Sequence, residues 1–572
     1  MSSNVFSLRG EAQALAAAGR WPGLLDLALR LQGLQPQEPI FLYWGGLAYA
    51  GLGQFGPALA WLNACLRVQP QHADALWARA QIGVECQRWG LAAADLRCLL
   101  ASRPSHVEAW QALAQVSGRL NDWPGVSGAL ACLALLCPER AGLALSQAVA
   151  FLNQREMGRA GPFFERALVE AQAVVRSQAV AAEAVASSRG RSGRSGRGPL
   201  LQKRAMAGQS AANAVDSAEW EYAMQLLLLE DFERGWRFHE ARLRVFGDRV
   251  LHILPDGVLP MPRWQGEPLA GKHLLVHGEQ GTGDEVMFAS VLPELVAQAG
   301  HVTVACHPNL VQLFAYSFPT ATVVAHSRGN PGAWAQALPG WLAALLADPL
   351  RRPDFQVSSS SLARFTRPDA ASFPGVPFLR TAPARQARMA GVLQGLLSAQ
   401  GGAVPAVDAA VDTAARAAPR GTGLRIGLAW AGNLDNPTAA LRSLPLEALL
   451  PLREALPGAV LVSLQSAQYA AQALAVPAMR LVDCSAATED FADLAALMQG
   501  LDLVITVDTS YVHIAGATGC PTWLLQSRRG EWRWGWLRES PLWYRCVRLF
   551  WQERSGDWSE PVAAMALALR AL

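Results

Sequence analysis

Two short stretches of this chain gather side chains suited to holding an anion and handling a proton. The first is Gly281-Thr282-Gly283-Asp284, a turn between the apolar run 273–276 and an amphipathic helical segment. Gly281 and Gly283 carry no Cβ, so the backbone there can approach a bound molecule closely. Asp284 stands where a carboxylate also serves well as a helix cap. The second stretch is Asp508-Thr509-Ser510, which ends an apolar run and opens a helix containing His513. Backbone N–H groups at a helix start, two hydroxyls and the helix dipole together make an anion site. Gly432 and Asn433 follow a third apolar run, and Arg442 offers a guanidinium that grips phosphate through two parallel bonds. Gln465 closes the run LVSLQ. A histidine such as His513, taken alone, is more often structural than functional. No acidic pair or cysteine pair has metal-binding spacing, so no metal is expected.

The elements that must position these residues alternate. Apolar runs at 273–276, in HVTVACHP (301–308) and in TVVAH (322–326) read as strands separated by helices. A second set begins at LRIGLAWAGN (424–433), continues at AVLVSLQ (459–465) and reaches LDLVITVDTSYVHIAGATGCPTWLLQ (501–526). Alternation of this kind predicts parallel sheets with ligands at the carboxyl ends of the strands. Two lobes are expected, 262–405 and 420–572, with the Pro- and Ala-rich stretch 351–420 as the hinge between them.

Upstream, proline recurs at Pro36, Pro70, Pro104 and Pro138, always 34 residues apart. Each closes an apolar helical run, where the missing N–H costs little. Gly46, Ala80, Ala114 and Ala148 keep the same interval and let paired helices approach. A 34-residue helix–turn–helix period resembles the tetratricopeptide family, and covers residues 1–171. Such repeats stack into a superhelix whose concave face binds a peptide or protein. The segment 172–215 is a Ser-, Arg- and Gly-rich linker, and 216–250 reads as a terminal helical repeat that caps the superhelix.

The tracts EQGTGDEVMF (279–288), DFQVSSSSL (354–362), RIGLAWAGN, RSLPL (442–446) and VDTSYVHIAGATGCP (507–521) occur in an order that resembles bacterial fusions of tetratricopeptide repeats to a glycosyltransferase. Their catalytic part is similar to the heptosyltransferases and, more distantly, to O-linked N-acetylglucosamine transferases, both of the two-lobed GT-B fold. The resemblance implies a metal-independent transfer from a nucleotide sugar, without a resident cofactor. It makes Asp284 the candidate general base, with Gly281 and Gly283 on the acceptor side. Gly432, Asn433, Arg442, Gln465, Asp508, Thr509, Ser510 and His513 fall to the donor, with Arg442 on the diphosphate, Asp508 on a sugar hydroxyl and Gln465 on base or ribose. Bacterial fusions of this kind include flagellin glycosyltransferases, so the implied acceptor is a protein such as flagellin, held by the repeats. The chain departs from the pattern at Glu285, where relatives have Thr. It departs again at 434–441, where the family's His, Asn and Asp residues are thinned. That loop keeps open a non-catalytic repeat scaffold with a degenerate sugar-nucleotide lobe; an envelope-polysaccharide heptosyltransferase is the third alternative.

Composition narrows the field. The 49 basic against 46 acidic residues give a net charge of +3, too balanced for a nucleic-acid binder. No apolar window is long enough to span a membrane, and the start of the chain does not read as a secretory signal. The nine cysteines are scattered, which suggests buried reduced thiols and a cytoplasmic protein. Six of the 20 tryptophans lie after residue 530. They are expected to anchor a last helix that returns across the cleft to the first lobe, with Trp532 and Trp534 left as candidates for ligand contact. Trp44, Trp77 and Trp110 are expected to pack the repeats.

Overall fold

The computed structural model describes residues 2–138, 140, 142–154, 156, 158–170, 172–173, 215–246, 259–326, 340–349, 351–399, 423–432, 442–528, 530–536, 538–554 and 556–572. The chain divides into two compact units, Met1–Ala214 and Val215–Leu572. Asn433, the loop 434–441 and nearly all of the expected linker lie outside the described residues.

The first unit is a run of antiparallel helix pairs in strict register. Helices Trp21–Leu34, Phe55–Val68, Trp89–Ser102 and Trp123–Leu136 begin 34 residues apart, each on an aromatic side chain. Between them run Pro39–Gly51, Ala73–Glu85 and Val107–Arg119, again 34 residues apart. Each helix of the first set ends two residues before the recurring proline, with the C-caps Gln35, Gln69, Arg103 and Cys137 immediately before it. The small residues act as expected: a Cβ on Gly46 would lie 2.7 Å from Leu62 Cγ. Ala58 and Ala92, Leu62 and Leu96 occupy equivalent core positions with no exposure.

Successive repeats are also linked by aromatic contacts. His72 and His106 cap their helices by accepting the N–H of Ala75 and Ala109 at 3.2 Å. Tyr43 packs on His72 and Trp77 on His106, at 5.3 and 5.0 Å between centroids. Trp44 is buried in the core of the first repeats, whereas Trp77 and Trp110 are partly exposed at the edge of the next cluster.

The second unit holds two all-parallel sheets. The first contains β1 (His273–His277), β2 (His301–Cys306), β3 (Thr322–Ala325) and β4 (Phe355–Ser358) in the order β3-β2-β1-β4. The second contains β5 (Arg425–Ala429), β6 (Val460–Ser463), β7 (Leu481–Asp483), β8 (Leu503–Val507), β9 (Thr522–Gln526) and β10 (Val547–Trp551). Its order is β10-β9-β8-β5-β6-β7.

Three expectations about boundaries change. The helical pair 215–228 and Phe232–His239, assigned from sequence to the repeats, belongs to the α/β unit. Trp236 there gives its indole N–H to Arg367 O at 2.8 Å and packs on Phe288. The hinge is shorter than 351–420: β4 belongs to the first sheet, and helix Pro383–Ala399 packs on helix Phe491–Gln499 of the second lobe. Arg385 fixes that contact through Asp490 and Asp493 at 2.8 and 2.6 Å. The last helix, Ser559–Arg570, does not return to the first lobe. Its Val562, Met565 and Leu569 complete the apolar core around helix Leu450–Ala455.

All nine cysteines are free thiols, but Cys86 and Cys98 are exposed, so burial holds only for Cys65, Cys306, Cys484 and Cys520 among those expected to be buried. Among the described residues no helix is long and apolar enough to cross a membrane.

Two glycines test the packing of the first unit. Gly128 lies mid-helix and exposed with nothing near a would-be Cβ, whereas a Cβ on Gly45 would lie 2.0 Å from the Trp61 ring. Gly128→Ala should therefore stabilise by about 1 kcal/mol through helix propensity. Gly45→Ala makes the same gain, but overpacking costs about 1–3 kcal/mol, so the net change is a loss. Calorimetry of the full chain should show the two transitions moving in opposite directions.

Candidate functional site

Both sheets reverse their winding direction at one point, and the two points face each other. In the first sheet the reversal lies between β1 and β4, in the second between β5 and β8. Such a switch point leaves a crevice beyond the strand ends, because the connections on either side lead away from it. A cleft of about 520 Å³ opens there, lined by Gly281–Asp284 from one lobe and by Gly432, Arg442, Gln465, Asp508–Tyr511, His513, Glu531 and Arg533 from the other. The expected site residues within the described chain thus converge on one space; Asn433 lies outside it.

The turn after β1 is built by polar contacts. Gln280 takes a positive φ of 58°, and Gly281 is the extended N-cap of helix Thr282–Phe288. Asp284 reaches back to accept the Gly281 N–H at 3.0 Å, so it does cap the helix. Its other oxygen accepts two bonds from Arg533, at 2.9 and 2.5 Å, across the cleft. Burial works against the Asp284 charge, yet Arg533 and the Gly281 N–H hold its carboxyl below the ordinary range. Glu285, which departs from the family pattern, accepts the His307 N–H at 2.8 Å and so ties this helix to the end of β2. Gly283 lines the cleft and also lets the two lobes come into contact. A Cβ there would lie 2.8 Å from His513 Cδ2 and 3.3 Å from Ser510 Cα.

The opposite wall is the start of helix Ser510–Thr518, with Thr509 as its extended N-cap. Asp508 is 5% exposed and lies 3.7 Å from Arg442. Burial, with Glu531 adding to it, pushes the Asp508 carboxyl up to about 6. Burial pushes His513 down to about 3, so the ring is neutral and contributes no positive charge. Its Nδ1 lies 3.1 Å from the Tyr544 hydroxyl, and its ring stacks on Trp534 at 5.1 Å.

Gln465 uses its side-chain oxygen to accept the N–H groups of Trp430 and Ala431, both at 2.9 Å. Two donors fix the oxygen's position, so the amide NH₂ is left without a protein partner. Gly432 gives its N–H to Ser443 Oγ at 3.0 Å, and its carbonyl accepts the Tyr469 hydroxyl.

Two arginines were invisible to motif reading. Arg533 lies between Trp532 and Trp534 and carries no motif of its own. Trp532 and Trp534, expected as ligand contacts, are buried and serve packing instead. Trp532 lies beneath the Arg533 guanidinium at 4.6 Å and against Trp236 at 5.4 Å. Arg242 opens the short helix Arg242–Val245 that follows the helical pair, and its side chain has no exposed surface. It donates to Glu279 at 2.8 Å, to Glu240 at 2.8 Å and to Ser361 at 2.8 Å, joining three segments around the turn after β1. Burial opposes both charges, and each overcomes it through the other: Arg242 is pushed up and Glu279 is held below its usual value. The signal in sequence is faint, a basic residue in a helix otherwise read as a repeat cap.

No family model matches the chain. Among curated proteins it is similar to Protein FlbA of Caulobacter vibrioides, at 30% identity over 380 residues. That match takes in 63% of this chain and 56% of FlbA, so the chain spans little more than half of the relative's length. Among solved structures, MamA from Desulfovibrio magneticus matches at 18% identity, over 29% of this chain and 94% of that one, with a TM-score of 0.26. Another MamA crystal structure matches at 15% identity over 30% of this chain and 94% of that one, with a TM-score of 0.27. The helical repeats of this chain are defined by their own 34-residue register.

Removing one member of a buried ion pair strands the other, at a cost of about 3–5 kcal/mol. Arg242→Met should lower stability by that amount in denaturant unfolding. Adding Glu279→Gln to it should recover a large part, and a double-mutant cycle without coupling would show that the pair does not hold the turn.

Proposed function

We propose that this chain is a glycosyltransferase that moves a sugar from a nucleotide-sugar donor to a protein acceptor. The observation that carries this reading is the pairing of the two switch points across one cleft. A carboxylate from the first lobe faces a helix start and two guanidinium groups supplied by the second. Transfer by direct displacement needs a base for the acceptor hydroxyl and positive charge for the departing phosphate. Asp284 takes the hydroxyl proton as the oxygen attacks the anomeric carbon. The bond from that carbon to the phosphate breaks on the opposite face, its electron pair going to the phosphate oxygen. The N–H groups at Thr509–Ser510 and the guanidinium of Arg442 hold that oxygen, which gives inversion without a metal or a resident cofactor. The free amide of Gln465 suits a carbonyl of the base or a ribose oxygen, and Asp508 suits a donor-sugar hydroxyl.

The helical repeats support a protein acceptor, because a superhelix of helix pairs presents an extended surface for a polypeptide. Flagellin, modified in the cytoplasm before export, is the acceptor favoured by the resemblance of the motif series. A second reading, a repeat scaffold that does not catalyse, draws support from the engagement of both Asp284 oxygens by protein donors.

A thermal-shift screen of the full chain with UDP-, GDP-, ADP- and CMP-sugars separates the two. The enzyme reading expects one of them to stabilise the protein, and no response to any would favour the scaffold. With that donor, Asp284→Asn should cut transfer by about 10²–10⁴-fold while leaving donor affinity within a few-fold. Arg442→Gln should instead weaken donor binding by about tenfold or more, since a charge-assisted bond to phosphate is lost.

A further inference from the structure

One guanidinium beside the cleft is shared among carboxylates. Arg533 gives Nε and Nη2 to the same oxygen of Asp284, at 2.9 and 2.5 Å, and Nη1 to Glu531 at 3.0 Å. Its face rests on the Trp532 ring, 4.6 Å from the centroid. Asp284 spends its second oxygen on Gly281. The candidate base is therefore held on both oxygens, and a carboxylate paired with a guanidinium has little appetite for a hydroxyl proton. The anion site is close by: Gly283, next to Asp284, lies directly against Ser510, the first residue of the opposite helix.

Building on the glycosyltransferase reading, we propose that Arg533 is a transferable counterion that passes from Asp284 to the donor's phosphate when the donor enters, so that the base is released only once a leaving group is in place. The exchange breaks no covalent bond. Guanidinium N–H groups trade a carboxylate oxygen for a phosphate oxygen, which carries the greater charge and lies at the helix start. Trp532 supports the guanidinium plane through the movement, since stacking tolerates sliding where a bidentate bond does not. Asp284, relieved of its cation and brought near a phosphate, gains proton affinity. It then takes the hydroxyl proton while Arg533 holds the oxygen that receives the electron pair from the broken bond. The arrangement imposes an order: donor first, then a competent base.

The groups facing Asp284 and Arg533 are His513, Tyr544, Asp508, Glu531 and the buried His239, with Arg442 lining the same cleft. His513 stays neutral, and Asp508, pushed up to about 6, titrates in the same range as the expected change. A subtraction against Asp284→Asn removes its contribution.

The test is calorimetric binding of UDP, GDP, ADP and CMP to the full chain near pH 5, in buffers of different ionisation heat, which counts protons taken up. For whichever nucleotide binds, the wild type should take up a substantial fraction of a proton more than Asp284→Asn. Arg533→Gln should lose most of that excess, because its Asp284 is released before the nucleotide arrives. Uptake equal in wild type and Asp284→Asn would overturn the transfer of the counterion while leaving the enzyme reading intact. Absence of binding by all four nucleotides would overturn the enzyme reading itself, and the counterion transfer with it. Where transfer is measurable, kcat/KM reports the free enzyme and kcat the donor complex. The acid limb of kcat should lie about one pH unit or more above that of kcat/KM in the wild type. The two limbs should converge in Arg533→Gln, and coincident limbs in the wild type would overturn the proposal.

Discussion

A guanidinium shut off from water must find its acceptors within the protein, and Arg242 finds them on three separate segments. Glu279 belongs to the turn after β1, Ser361 to the turn after β4, and Glu240 to the helical pair. These are the two turns that flank the switch point of the first sheet. A misplaced Arg242 would leave two carboxylates buried near each other and free both turns at once. The position of Asp284, five residues beyond Glu279, therefore depends on a residue far from the cleft in sequence. Arg367 extends the same support. It binds both oxygens of Glu294 at 2.7 and 3.0 Å while its carbonyl receives the Trp236 indole.

Charge in the cleft is arranged so that each basic group already has an acidic companion. Arg442 faces Asp508, and Arg533 faces Asp284 and Glu531. Two helix starts, at Thr282 and Ser510, bring their positive ends to the same place. Without the carboxylates, this concentration of positive potential would repel itself. With them the charges of the cleft nearly balance, and an entering anion competes with internal partners. Neutral His513, wedged between Trp534 and Tyr544, completes the wall without adding to the charge.

Much of the architecture was legible because it rests on period and local turn chemistry. The proline interval marked helix ends to within two residues, since a residue without N–H has few places in a helix hairpin. The turns at 281–284 and 508–510 were found because glycine, a capping acid and a strand end occur together. The misread parts have a common cause. β4, β7 and β10 are only three to five residues long, too short for a clear pattern beside Pro- and Ala-rich sequence. The aromatic segment 530–545 carries no period, so nothing local said that it, and not the last helix, would cross to the first lobe. Trp532 packs with Trp236 and Phe288, and Trp543 packs with Phe288 and Phe373. Arg242 and Arg533 act through partners distant in sequence, 37 and 249 residues away, which no single-window reading connects.

That separation has a consequence for the order in which the molecule comes into being. Contacts in the helical unit join neighbouring repeats, so each hairpin can settle soon after it leaves the ribosome, at about 5–20 residues per second. The cleft cannot follow this schedule. Asp284 waits 249 residues for Arg533, and Glu230 waits 308 for Arg538. During synthesis the repeat surface is therefore finished well before the second lobe closes on the first. A nascent chain displays one half of its machinery while the other half is still unmade.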